Sequence, residues 1–149
     1  MESKSLKVSW IILLVPHAAV VINGLIWAVV PNIFLSPWFE PFIGQSWADF
    51  VSTNAQLASF IYLQSRYFGI VAIVLGYVAI TITLTAYKRG EKWAWYLALA
   101  GNIVGFGSSI VITSIIGDIS GIIMDTVLLV VVLVALGIGA KAILKKASV

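Results

Sequence analysis

The chain has no cysteine, which excludes disulfides, thiolate metal sites, iron–sulfur clusters and cysteine nucleophiles. It has one histidine, His17, so a single copy cannot assemble a multi-histidine metal site. Charge is scarce as well. Only 10% of the 149 residues are charged, against 61% apolar, whereas a soluble domain is nearer a quarter charged. So few charges cannot cover a water-facing surface, and lipid is the expected solvent. Catalytic signatures are missing too: there is no HExxH, no phosphate-cradling glycine loop, and no carboxylate pair at helical spacing with a histidine. The sequence therefore points to no catalytic residue, no metal and no cofactor. The net charge of +3 would suggest nucleic acid in a soluble protein. Here the basic residues flank apolar runs, where they report topology instead, and no nucleic-acid partner is expected.

What is present is apolar sequence in long runs. Four stretches, about 8–30, 60–87, 93–116 and 119–140, are each long enough to cross a hydrocarbon core of roughly 30 Å. The first follows Lys4 and Lys7 as a signal peptide would. Its apolar run is too long for one, and no small-x-small cleavage site follows, so it reads as a retained helix. The predicted fold is an all-α membrane protein: a single domain over 1–149, built as a four-transmembrane-helix bundle.

Basic residues set the expected orientation. Lys4 and Lys7 precede the first span, Lys88, Arg89 and Lys92 lie between the second and third, and Lys141, Lys145 and Lys146 follow the fourth. The other two connections carry Glu40, Asp49 and Asp118 and no Lys or Arg. By the positive-inside rule both termini are cytoplasmic, and the expected location is a cell membrane, prokaryotic. Arg66 alone lies inside a span.

The connection over 31–59 concentrates Pro31, Pro37, Trp38, Phe39, Pro41, Phe42 and Trp47. Prolines prevent one continuous helix, and Trp favours the headgroup region. Ser46-Trp-Ala-Asp49 reads as a capping box that starts a short helix at Trp47. The segment is expected to lie on the outer membrane surface, either as a lid over the helix ends or as a plain interfacial connection. On the inner side Gly90 marks a tight turn between the second and third spans, and Trp93, Trp95 and Tyr96 anchor the third at the interface.

Polar groups inside spans are costly and often functional. His17, Asn23, Arg66, Asn102 and Asp125 form the candidate ligand-binding set. His17 and Asn102 fall near the membrane centre, and the others lie toward the outside. Asn102, Ser109 and Thr113 share a face of the third span, and Asp118, Gly121 and Asp125 share a face of the fourth. Arg66 and Asp125, of opposite sign and similar depth, form the candidate ion pair. Each group also has a structural reading: the pair fixes helix register, Arg66 snorkels, and His17 and Asn102 bond neighbouring helices. A proton or ion path along Asp118, Asp125 and His17 is a further option. Gly101/Gly105 and Gly117/Gly121 are small-xxx-small pairs, expected to let helices approach closely.

The run Tyr87-Lys-Arg-Gly-Glu-Lys-Trp-Ala-Trp-Tyr96, with Gly24 and Pro31 late in the first span and Arg66-Tyr-Phe-Gly69 early in the second, loosely resembles small four-helix membrane proteins of the DoxX-like group. The resemblance implies the four-helix fold. Some members of that group are tied to quinone or sulfur redox chemistry, and this chain has no thiol for the latter. The residues themselves point first to a structural or accessory subunit of a larger membrane complex. The expected partners are membrane lipids and other membrane-protein subunits or a homo-oligomer. The alternative is a small-molecule binding protein, for a lipid or quinone-like ligand, with its pocket in the outer half.

Overall fold

The computed structural model describes residues 3–145. Lys146, part of the expected basic cluster after the last span, lies outside them. Among the described residues the chain is helical, with no strand. Its α-helices are α1 (Lys4–Val29), α2 (Asn32–Ile43), α3 (Trp47–Thr53), α4 (Ala55–Ile82), α5 (Lys92–Ile116) and α6 (Ile119–Leu144). A single wide π-helical turn, Thr83–Tyr87, extends α4. Four helices, α1, α4 with its extension, α5 and α6, are long and apolar enough to cross a membrane. At 1.5 Å per residue, 25 or more residues reach about 37 Å, which exceeds the hydrocarbon core.

Local signals explain most boundaries. Ser3 caps α1, accepting from the Leu6 N–H at 3.2 Å. Ser46 caps α3, accepting from the Asp49 N–H at 3.1 Å and donating to the Asp49 carboxylate at 2.6 Å. Gly90 turns the chain between α4 and α5 with φ +77°, as that turn requires. The prolines behave differently from expectation. Pro37 and Pro41 both sit inside α2, and Pro16 sits inside α1. The breaks fall instead at Pro31, the residue before α2, and at Gly44, which is left-handed (φ 78°) at its end. A proline ahead of the first turn removes an N–H that would have had no partner anyway.

The long helices stand in the order α4, α1, α6, α5. Helix α1 packs along α4 on one side and α6 on the other, and α5 packs along α6. Helices α4 and α5 are joined by a short turn yet do not pack along each other. A closed ring of four would need that contact, so the structure shows a four-helix row centred on α1 and α6. The reason lies in where the backbones can meet. A Cβ at Gly69 would come within 2.5 Å of the Ala28 nitrogen, and one at Gly24 within 2.8 Å of the Gly69 carbonyl oxygen. Only glycines allow α1 and α4 to touch backbone to backbone. On the other flank, a Cβ at Gly139 of α6 would lie 2.6 Å from the hydroxyls of Ser9 and Tyr87.

Within the chain, the packing pairs expected from sequence mostly meet no other helix. Gly101 and Gly105 face open space, with nothing near the position a Cβ would take. Gly117 ends α5 in the left-handed region (φ +83°), also in open space. Of the four, only Gly121 is tightly packed, beneath the Asp118 carboxylate and the Thr113 methyl.

Two apolar clusters hold the two ends. Near the termini, Leu6, Leu13, Tyr87, Ala94, Leu136 and Ile143 are buried together. At the distal end, Trp27, Leu35, Trp47 and Ala58 are buried together and flanked by Phe34, Trp38, Phe39 and Phe50. This second cluster docks α2 and α3 onto α1 and α4. Trp27 stacks on Phe34 with centroids 4.5 Å apart, and Phe39 meets Phe50 at 4.6 Å and Trp47 at 4.9 Å. Such pairs add about 0.5–1.5 kcal/mol each beyond their burial.

Candidate functional site

The sequence candidates separate into three places. The first is mid-span. His17 on α1 lies 3.2 Å from the Thr83 hydroxyl through Nδ1, and 3.4 Å from the Asn102 amide nitrogen through Nε2. The protons can be assigned by counting. Thr83 spends its one hydroxyl proton on the Ala79 carbonyl at 2.8 Å, so His17 Nδ1–H must donate to Thr83. That leaves Nε2 as an acceptor. Asn102 has two amide protons, one for the Ala98 carbonyl at 2.7 Å and one for His17. A neutral imidazole satisfies every member, and the three side chains join α1, the end of α4 and α5. His17 and Asn102, each expected to bond a neighbouring helix, bond each other.

A parallel knot lies nearer the termini. Ser9 donates to the Ala135 carbonyl at 2.6 Å. Its only proton is then used, so the Tyr87 hydroxyl, also at 2.6 Å, donates to Ser9. The Trp95 indole donates to the Leu136 carbonyl at 3.0 Å. Sequence reading missed Ser9 and Thr83, and read Trp95 as an interfacial anchor and Tyr87 as part of the inner hairpin rather than as polar contacts. One signal was available: Ser9 recurs with Leu13, His17 and Gly24 on the seam of α1.

The second place is the α5–α6 contact. Asp125, buried, accepts from Ser109 at 2.6 Å. Asp118 precedes α6 and accepts from Ser120 at 2.6 Å. Partial burial pushes the Asp118 carboxyl up, but Ser120, the Gly121 and Ser120 N–H groups and the Trp38 indole together hold it below its ordinary value. Trp38 ties α2 to the start of α6. Among the described residues no cluster of His, Asp and Glu has the makeup of a metal site.

The third place holds Arg66. It is exposed on α4 and lines an open groove of about 470 Å³ with Val29, Val30, Asn32, Ser59 and Tyr62 among its walls. The expected Arg66–Asp125 ion pair does not form. Among the described residues the one ion pair joins Arg89 and Glu91, at 3.7 Å on the surface. The helix order explains the miss: α1 stands between α4 and α6. Similar depth, expected from sequence, says nothing about which helices are neighbours. For the same reason His17, Arg66 and Asp125 do not converge in one pocket beneath α2 and α3. Asn23, the fifth candidate, has a buried amide oxygen with no hydrogen-bond partner among the described residues.

A second, wholly apolar crevice of about 420 Å³ runs between α2 and the end of α5, lined by Leu35, Trp38, Phe39, Phe42, Ile112 and Ile115 among others. It contains no polar group to orient a ligand.

Compared with known proteins, the chain matches no family model, no curated protein and no solved structure. The chemistry of these sites therefore rests on their own residues.

Proposed function

We propose that this protein is a non-catalytic integral membrane protein that works by association, as a structural or accessory subunit of a larger membrane assembly. The observation that carries this reading is an unused packing surface. Gly101, Gly105 and Ser108 fall on one exposed face of α5. Small residues in that spacing admit another helix at close range, yet no helix of this chain takes the place. Helix α5 is also the least covered of the four spans. The buried polar groups support the same reading from the other direction. Ser9, His17, Thr83, Asn102, Ser109 and Asp125 are committed to contacts between the chain's own helices, which suits a scaffold better than a reaction centre. The Lys and Arg excess at one end supports a cytoplasmic position for that end.

The test is purification in mild detergent from the native host, with Gly105→Leu alongside. The expected result is a discrete assembly larger than one chain, which the bulky variant reduces to a folded monomer. A wild-type protein that is already a lone, monodisperse monomer overturns the reading.

A further inference from the structure

We propose that the groove between the end of α1, the start of α2 and α4 is a binding site for the phosphate of an anionic membrane phospholipid, gripped by Arg66. The inference is independent of the association reading, because it concerns a different helix and a different face.

Arg66 supplies the first argument. It has no ion pair and no hydrogen bond among the described residues. Every other described basic residue lies near the opposite end of the spans. A guanidinium in a membrane is costly unless water, carbonyls or an anion solvate it, and among the described residues no carboxylate pairs with it. Gly69 packs beside Gly24, seven residues from the mid-span His17, and Arg66 is three residues further out, so Arg66 sits about 15 Å from the level of His17. The core boundary lies about 15 Å from the midpoint. A long side chain at that depth snorkels toward the headgroups, where phosphate is the anion at hand. Guanidinium and phosphate match as a two-pronged hydrogen-bonded pair.

The walls of the groove supply the second argument. The Trp47 indole, which can only donate, points at Asn32 Oδ1 and the Tyr62 oxygen, both at 3.1 Å. Tyr62 also donates to Asn32 Oδ1. Two donors on one atom fix that atom as the oxygen, so the orientation of the amide is determined. The Asn32 NH₂ group is then the free end, with two donors and no partner among the described residues. Ser59 has spent its proton on the Ala55 carbonyl at 2.9 Å. Arg66 and the Asn32 amide are thus the groove's unspent donors, and both suit an anion. Asn32 also opens the 12-residue helix α2, whose positive end adds to the same preference. The remaining walls, Val29 and Leu63, are exposed and apolar, which suits the acyl portion of a lipid. This mixture of two donors and aliphatic walls fits a phospholipid better than a free ion.

The experiment is native mass spectrometry of the purified chain titrated with phosphatidylglycerol or phosphatidylcholine in detergent. The wild type is expected to retain phosphatidylglycerol in preference to phosphatidylcholine. Arg66→Gln is expected to lose affinity by about tenfold or more, given the strength of hydrogen bonds to charged groups. Arg66→Lys should fall between the two. Asn32→Asp keeps the acceptor that Trp47 and Tyr62 need but turns the free donor into a carboxylate, so it should also lose phosphatidylglycerol while remaining folded. Lys88→Gln, at the other end, should bind as the wild type does. Equal retention of phosphatidylglycerol by the wild type, Arg66→Gln and Asn32→Asp overturns the site. Equal retention of the two lipids by the wild type overturns its preference for an anionic headgroup. Displacement of the lipid by millimolar inorganic phosphate assigns the groove to a free anion and overturns the lipid assignment.

Discussion

His17 and Arg66 are both ionisable residues within apolar runs, yet their surroundings are opposite. His17 is buried and bonded on both ring nitrogens, whereas Arg66 has no partner among the described residues. His17→Leu would leave the Asn102 amide short of one acceptor and remove the donor to Thr83. Leaving buried polar groups unpaired costs about 1–3 kcal/mol, so thermal unfolding in detergent should show a loss of that size. Arg66→Ala should change stability by less than about 0.5 kcal/mol in the same lipid-free assay, as a surface change does. If the two variants behave alike, the mid-span network contributes nothing. Asp118 offers a pH test. Its folded carboxyl is held below the ordinary value, so it stabilises the fold above the unfolded pKa of about 3.9. That contribution is lost as the pH falls through the lower folded value. The stability difference between wild type and Asp118→Asn should be constant near neutrality and shrink below about pH 4. A difference that stays constant down to pH 2 would sink the assignment.

Among the elements, α1 carries the most contacts and α5 is the least covered. Glycine substitutions separate these roles. Gly69 meets the backbone of α1, where a Cβ would lie 2.5 Å from a nitrogen that cannot move alone. Gly69→Ala should therefore destabilise by about 1–3 kcal/mol, the cost of overpacking. Gly101→Ala meets nothing within the chain and relieves the entropy cost of glycine in a helix. It should be neutral or stabilising by up to about 1 kcal/mol. Equal losses for the two variants would contradict the helix order described above. Helices α2 and α3 are held mainly by aromatic contacts among Trp27, Phe34, Phe39, Trp47 and Phe50. Those contacts keep Asn32 beside Tyr62, so this cluster shapes the Arg66 groove.

The whole molecule is asymmetric end to end. Lys88 lies over the Trp10 ring at 4.9 Å at the terminal end, while Glu40, Asp49 and Asp118 are at or near the distal end. Because the chain has no cysteine, one introduced thiol gives an unambiguous label. An impermeant maleimide applied to intact cells should modify Gln45→Cys and spare Ser3→Cys until the cells are opened. The reverse pattern would invert the proposed orientation.

The sequence determined the number of long apolar helices, their approximate limits and the separation of charge between the two ends. These follow from hydropathy and from flanking residues, which act locally and need no knowledge of neighbours. The capping box at Ser46 and the turn at Gly90 were legible for the same reason. The tertiary structure alone decided which helices touch. A polar residue in a span announces that it needs a partner, but its partner depends on helix order, which no periodicity within one helix encodes. That is why Asn102 found His17 and Ser109 found Asp125, while Arg66 and Asp125 stayed apart. The glycines make the same point. Gly101 and Gly105 have the spacing of a packing motif, yet Gly24, Gly69, Gly76, Gly121 and Gly139 are the ones in tight contact. A missing Cβ permits close approach, and only the position of a second helix determines whether the approach occurs.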